Sequence, residues 1–486
     1  MSTKEAKQGY GQKIASRSED FPGWYNDVVL QAELADYSPV RGSMVIRPYG
    51  YALWENMQAR LDVRFKATGV VNAYFPLLIP ESLLQKEADH VEGFAPEVAW
   101  VTHGGNEELA ERLAIRPTSE AIVMHMYSRW VQSYRDLPLL INQWNNVLRW
   151  EVHTRLFLRT AEFLWQEGHT VHASDAEATE RTLLMLETYR AFIEEDLAIP
   201  VIPGVKSESE RFPGAKDTYT VEALMGDGRA LQSATSHDFA DHFTRAFEIE
   251  FLDAEGERRF GATTSWGLST RTIGGIVMVH GDAKGLILPP RVAPVQVVIV
   301  PISRKSEDAA AVREFVETVQ RSLGTDLRVQ ADFSEGKTPG WKFNEWELKG
   351  APVRLEIGPR DVAAQSVVVA RRDTGEKQSV GLDALSGSLV ALMETMQTGL
   401  FESARQFRAE NTHEVSSVEE MRTVLDEGRG FMVGGWCGGA ACEAYVKEQT
   451  RATIRVIPFE QGDAAERVCI VCGSRPARRV YIARAY

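Results

Sequence analysis

The stretch Arg149 to His169, RWEVHTRLFLRTAEFLWQEGH, decides how this sequence is read. It opens with Arg149 and Glu151, one residue apart. On an extended strand those two side chains point to the same face. A short polar segment follows, then a second strand-like run carrying Arg159, Thr160, Glu162 and Phe163. The pattern predicts a hairpin with a cation and a carboxylate on one face. Such a face can grip a polyphosphate and a base together, because the guanidinium fork matches two phosphate oxygens. An ordinary surface pair between strands is the simpler reading of Arg-x-Glu taken alone.

Working outward, three other polar runs support a site. ALQSATSHDF (230–239) gathers Gln232, Thr235, Ser236 and His237. TTSWGLSTRTIGG (263–275) sets Arg271 between Gly267 and Gly274-Gly275, where glycines would let a flat ligand approach and a guanidinium stack on an aromatic ring. AIRPTSEAI (114–122) places Thr118 and Glu120 after a proline, with Ser119 expected to cap a helix running through Tyr127 and Trp130. Phe94 lies upstream in the Gly- and Pro-containing run EGFAPE, and Lys206 to Phe212 is expected to be a mobile charged loop.

The N-terminal part predicts helices over 21–35 and 49–68. In the second, Trp54, Met57, Leu61 and Phe65 form one apolar stripe, and Gly69 ends it. A strand is expected at 72–75 and a helix at 175–196. The Pro-rich run GLILPPRVAP closes a first domain over 1–292. From Val295 the pattern alternates between strands (295–302, 327–333, 352–358, 366–372) and helices (307–323, 341–350, 384–407). That predicts an α/β domain over 293–407. Residues 408–486 form a third unit.

With 486 residues, 44% hydrophobic and 25% charged, the chain reads as a multi-domain globular protein. Its net charge of −14 argues against coating nucleic acid through bulk charge, although a local basic patch remains compatible with it. The first twenty residues are polar and mixed in charge, and no apolar run approaches the ~20 residues that span a bilayer. A cytoplasmic protein without membrane contact is expected.

All four cysteines, Cys437, Cys442, Cys469 and Cys472, lie in the third unit. Two pairs separated by a long loop suit a closed tetrahedral site, hence structural Zn²⁺; four unliganded thiols are the alternative.

Together these residues resemble a known family. RWE, FLRTAEFLWQEGH and WGLSTRTIG are similar to motifs 2 and 3 of class II aminoacyl-tRNA synthetases, and the helix ending at Gly69 with Pro76 beyond it resembles motif 1. RPTSE, EFLWQEGHT, TSH and VHGDAKGLILPPR narrow the resemblance to prolyl-tRNA synthetases of the archaeal and eukaryotic type.

The resemblance implies an α/β multi-domain fold. It would comprise a catalytic domain on an antiparallel sheet, an α/β anticodon-binding domain and a small C-terminal zinc-binding α+β domain. It implies a homodimer that takes L-proline, ATP with Mg²⁺, and tRNA(Pro). Arg149 would hold the ATP α-phosphate and the proline carboxylate, Glu151 would read the adenine amino group, and Phe163 and Arg271 would sandwich the base. Arg159, Thr160, Gln232 and Thr235 would contact ATP or its magnesium. Thr118, Glu120 and His237 would bind proline, with Phe94, Trp165, Glu167 and His169 completing the pocket. Lys349, Arg354, Glu356 and Arg360 would face the anticodon. No long insertion separates motifs 2 and 3, so no cis-editing domain is expected. A threonyl-type relative would need a thiolate in the catalytic domain, and no cysteine precedes Cys437.

Overall fold

The computed structural model describes residues 14–90, 98–151, 153–303, 306–428, 430–462 and 467–486. Its backbone is a sheet whose central strands are β1 (Leu139–Leu148), β2 (Glu162–His172), β3 (Val201–Val205), β4 (Asp217–Leu224), β5 (Ala230–Ala240) and β6 (Ala262–Ser269). They lie side by side in the order β3-β4-β5-β6-β2-β1, each antiparallel to its neighbour. The β1–β2 hairpin runs in register from Leu139↔Val171 to Leu148↔Glu162.

The segment 149–161 is therefore the hairpin's connection, not a continuation of its strands. Arg149 N–H donates to the Ala161 carbonyl at 2.8 Å, and beyond that the chain turns away. Leu156, Phe157 and Leu158 are buried, and Phe157 adopts φ +61°. Burial of this apolar triplet pulls the connection back onto the core, a nonlocal gain that strand periodicity does not report.

Helix α1 (Pro48–Ala67) buries Trp54, Met57, Leu61 and Phe65, as their spacing predicts. Each such side chain contributes about 1.5–3 kcal/mol on leaving water. Gly69 takes φ +85°, which explains a glycine at the helix end. The strand expected at 72–75 shrinks to Val71–Asn72, paired in parallel with β1. Helix α2 (Glu120–Trp130) begins at Ser119, yet the Ser119 hydroxyl does not cap it: it donates to Glu167 instead. Helix α3 (Asp175–Ala191) runs into a π-turn over Phe192–Asp196.

Helix α4 (Arg271–His280) contains Gly274 and Gly275 inside its body. A Cβ on Gly274 would stand 2.5 Å from Leu158 Cδ2 and 2.8 Å from the Tyr25 hydroxyl. These glycines serve close helix packing and not ligand approach.

The second unit has a five-stranded sheet in the order 329–331, 297–301, 353–357, 366–371, 377–381. The first three strands run parallel, and 366–371 is antiparallel to both of its neighbours. The alternation read from sequence is present. The helix Pro359–Ala364 and the edge strand Lys377–Gly381 were not legible, because one is short and the other is polar and mostly exposed. A long helix α5 (Leu382–Glu410) leads out of this unit.

In the C-terminal unit, β7 (Phe431–Trp436), β8 (Thr453–Pro458) and β9 (Arg478–Ala483) form an antiparallel sheet with β9 in the middle; helix α6 (Ala440–Thr450) lies between β7 and β8 in the chain. Strand β8 then pairs with β3 through Ile457↔Val205 and Pro458↔Gly204, so one continuous sheet spans the first and third units. The pairing needs Gly204: a Cβ there would stand 2.2 Å from the Ile457 carbonyl oxygen.

Candidate active site

Period-two alternation on β2 sends Phe163, Trp165, Glu167 and His169 to one face. On β5 the odd spacing of Gln232 and Thr235 is reconciled by a bulge. Val221 pairs with Ala234 and Glu222 with Gln232, which leaves Ser233 as the extra residue. Both side chains then reach the same hollow. Helix α4 brings Arg271 from the end of β6, the chain just before α2 brings Thr118, and the first residue of α2 is Glu120.

The result is a cavity of about 200 Å³ lined by Thr118, Glu120, Arg149, Phe163, Trp165, Glu167, His169, Gln232, Thr235, His237 and Arg271. Arg149 and Arg271, from distant segments, share it. Glu210, Phe212 and Thr218 also line it, and sequence reasoning passed over them. Glu151 and Arg159 pair with each other at 2.8 Å on the hairpin connection. Thr160 is buried, with its hydroxyl donating to the Glu162 carbonyl at 2.7 Å. None of these three lines the cavity. Phe94 lies outside the described residues.

Arg149 donates through Nε to the Pro117 carbonyl at 3.0 Å, and its guanidinium carbon sits 5.6 Å from the Phe163 ring centre and 5.4 Å from Trp165. Arg271 donates through Nε to the Leu158 carbonyl at 3.1 Å. Burial, and then the neighbouring Arg149 cation, bring the Arg271 guanidinium down to about 10, so it stays charged at neutral pH.

Glu167 is a hub. Its carboxylate accepts from Ser119 (hydroxyl and N–H), from Gln143 Nε2 at 2.8 Å and from Asn145 Nδ2 at 2.6 Å, and it faces His169 Nε2 at 3.3 Å. Burial alone would raise this carboxyl, but the His169 hydrogen bond and charge and the Ser119 hydroxyl outweigh it, and its pKa falls. Burial likewise opposes charging of His169, yet the Glu167 hydrogen bond and the nearby Glu120 charge raise it. Gln143 and Asn145 were missed, because isolated polar residues carry no periodic signal, and Ser119 was read only as a helix cap. The Thr118 hydroxyl donates to Glu120, which fixes that carboxylate in the cavity wall.

Three imidazoles are held neutral. Burial, then the His169 and Arg149 cations, push His237 to about 3. Burial, then Arg181, takes His172 to about 4, and burial takes His280 to about 4. Unfolded histidine titrates near ~6.5. Below that pH the unfolded chain binds protons that the folded chain refuses, so stability rises with pH across this window. His169, shifted the other way, loses its contribution only above ~6.5. The urea midpoint is therefore expected to fall as pH drops from about 6.5 to about 5, and a flat profile there would refute the burial assignment.

Residues 100–280 match the family model "tRNA synthetase class II core domain (G, H, P, S and T)", 296–392 match "Anticodon binding domain", and 418–486 match "Prolyl-tRNA synthetase, C-terminal". The chain is 55% identical over 477 residues to the proline–tRNA ligase of Natranaerobius thermophilus, covering 98% of each chain. It is 56% identical over 476 residues to that of Rubrobacter xylanophilus, covering 98% of this chain and 99% of the relative. The chain belongs to the prolyl-tRNA synthetase family.

The crystal structure of the prolyl-tRNA synthetase from Cryptosporidium parvum, complexed with halofuginone and AMPPNP, superposes with a TM-score of 0.92 at 40% identity, covering 98% of this chain and 99% of that one. As a prolyl-tRNA synthetase the chain is an ATP-dependent ligase that joins proline to tRNA. Residues 173–261, between β2 and β6, build α3 and β3 to β5 together with short turns, a six-residue helix and a small hairpin.

Two further groups of sequence-predicted residues can be placed in this synthetase. The sulfur atoms of Cys437, Cys442, Cys469 and Cys472 all lie within 4.8 Å of one another. Tetrahedral thiolates on zinc sit about 3.8 Å apart for a Zn–S bond of about 2.3 Å; the Cys437–Cys472 separation is 3.8 Å. The donor set fits a metal. The anticodon candidates are less open than expected. Lys349 pairs with Glu33 of the catalytic unit at 2.7 Å. Arg354 is buried against Phe343 and bonds Glu356 at 2.9 Å, and Glu356 also pairs with Lys377. Arg360 is exposed. The first three are tied up in ion pairs, which the charge pattern alone could not distinguish from a free recognition surface.

Proposed function

We propose that the cavity holds ATP and L-proline side by side, with Arg149 between the ATP α-phosphate and the proline carboxylate. Phe163 and Arg271 sandwich the adenine, Glu151 reads its amino group, and Gln232 and Thr235 contact the nucleotide. Arg159 reaches the phosphates once released from Glu151. Thr160 acts indirectly, through the backbone it bonds. Thr118, Glu120 and His237 bind proline, and Trp165, His169 and Phe94 wall its ring; Glu167 holds that wall in shape. The secondary ammonium of proline needs an acceptor, which Glu120 supplies, and its ring suits an aromatic wall.

The proline carboxylate attacks the α-phosphorus, forming the acyl–phosphate bond of prolyl-adenylate as the bond to pyrophosphate breaks. The terminal ribose hydroxyl of tRNA(Pro) then attacks the acyl carbon and AMP leaves. No side-chain nucleophile is required; orientation and cationic stabilisation by Arg149 and Arg271 carry the rate. Mg²⁺ bound with ATP neutralises triphosphate charge.

The observation that carries this reading is the meeting of Arg149, Arg271 and Glu120 in one cavity. Amino-acid-dependent pyrophosphate exchange with a panel of amino acids tests it. Proline should support exchange, and threonine and serine should not. Alanyl-tRNA should persist with the pure protein; rapid alanine release would contradict the absence of an editing domain.

The four thiols bind structural Zn²⁺. Metal analysis should find about one zinc per chain, and Cys469→Ser should lower both zinc content and the thermal midpoint. A metal-free protein that melts at the same temperature as the purified one would refute this. We also assign a homodimer, supported by apolar Val63, Val71 and Tyr74 exposed at the end of α1 and just beyond it. Light scattering tests it. A cytoplasmic location fits the family, and among the described residues no helix is long and apolar enough to cross a membrane. Units over 1–292, 293–407 and 408–486 divide these tasks, and within the second unit Arg360 is the most accessible of the anticodon candidates.

A further inference from the structure

One wall of the cavity comes from the loop 207–212, through Glu210 and Phe212. Phe212 packs on His237 with ring centres 4.7 Å apart, and its N–H donates to Thr218 Oγ1 at 2.9 Å. Thr218 in turn bonds His237 Nδ1 at 3.0 Å. The sequence of this loop, polar and rich in acids, offers it no core of its own. Its order comes from behind: from Thr218 and His237 of the catalytic unit, and from two side chains of the C-terminal unit.

Ser207, 1% exposed, donates its hydroxyl to the carboxylate of Glu443 on α6. Arg455 on β8 reaches across the β8–β3 seam to Glu222, with Nε at 3.2 Å, and its Nη1 stands 4.0 Å from Glu210. Lys206, at the start of the loop, donates to the same Glu222 at 2.8 Å. Lys206 and Glu222 are both buried, so the charges compensate each other away from water. The expected mobile loop is thus pinned at its first two residues and at Glu210.

We propose that the C-terminal unit is part of the amino-acid site: Glu443 and Arg455 are positioning residues that set the loop 207–212, and through it Phe212 and Glu210, against bound proline. This rests on the assignment of proline to this cavity. A loop ordered before substrate arrives spares binding the entropic cost of ordering it. Loosening it lowers the competent fraction and raises the apparent dissociation constant in proportion, while the saturated enzyme still reacts.

The Ser207–Glu443 contact tests this most cleanly, because neither residue touches the cavity. In proline-dependent pyrophosphate exchange, Ser207→Ala and Glu443→Ala should each raise KM for proline about tenfold with kcat within about twofold, which corresponds to about one molecule in ten holding the loop correctly. The double variant should be no worse than either single one. Glu443→Gln, which keeps a carbonyl acceptor for the Ser207 hydroxyl, should restore KM. Backbone amides 207–212 should exchange hydrogen faster in Glu443→Ala, while those of β7 stay protected.

Unchanged proline KM in both single variants would overturn the proposal. So would kcat and thermal midpoint falling together without a KM change, or single effects that multiply in the double variant. If Glu443→Ala does not fold, Ser207→Ala decides alone. Glu120→Ala, run in parallel, separates the two assignments. Loss of exchange there with Ser207→Ala unaffected defeats only the loop assignment, whereas full exchange in Glu120→Ala defeats the proline site and the proposal with it.

Discussion

Arg149→Ala is expected to lower kcat/KM for proline-dependent pyrophosphate exchange by about 10³-fold, equivalent to about 4 kcal/mol of transition-state stabilisation. The guanidinium is held on one side by its Nε bond to Pro117 and over the Phe163 and Trp165 rings, so its position is set before substrate arrives. Charge moves onto the α-phosphoryl oxygens as the carboxylate attacks, and a cation already fixed in the cavity wall meets that charge without reorganising. The loss should fall mainly on kcat, with the thermal midpoint little changed. Arg149→Lys should recover only a small part of the activity, because a point charge cannot replace a planar fork engaging two anionic groups. A rate within tenfold of the parent for Arg149→Ala would remove the central element of the proposed chemistry.

The second large effect is expected at Glu167. Glu167→Gln keeps the shape but turns one carboxylate oxygen into an NH₂ donor among groups that already donate: Ser119, Gln143 and Asn145. A buried donor then faces other donors, and His169 loses the partner that raises its pKa. Disrupting a buried, charge-assisted network in this way costs about 3–5 kcal/mol. Urea unfolding should show a clearly lower midpoint for the catalytic unit, and proline-dependent exchange should fall with it because Trp165 and His169 share the strand. The sign of the pH dependence follows from the depressed Glu167 pKa: its contribution is present above the unfolded carboxylate value near ~4.3 and is lost as pH falls through the folded one. An unchanged midpoint for Glu167→Gln would show that this hub contributes shape alone.

These two residues differ in how far they could be read in advance. Arg149 was legible, because an Arg two residues from a Glu, followed by Arg159 and Phe163, is a chemically pointed combination even before a fold is known. Glu167 was legible only as part of a resemblance. Its role as an acceptor for groups from α2, β1 and β2 depends on strand register, which no local pattern states. The cap expected of Ser119 failed for the same reason: a hydroxyl beside a helix start has a local option, and the nonlocal Glu167 carboxylate outcompeted it.

The sequence by itself determined the local elements and the chemical inventory. The stripe Trp54–Met57–Leu61–Phe65 made α1, the alternation after Val295 made the α/β unit, and the thiols, arginines and carboxylates were all present to be counted. Only the tertiary structure decided which of them meet. It put Arg149 and Arg271 in one cavity, gave Gly274 and Gly275 to helix packing, drew Lys349 to Glu33, and joined β8 to β3 at Gly204. The physical reason is range: periodicity and turn chemistry act over a few residues. Strand register and the pairing of buried charges are set by many weak contacts between distant segments, and they are resolved only when the whole core closes.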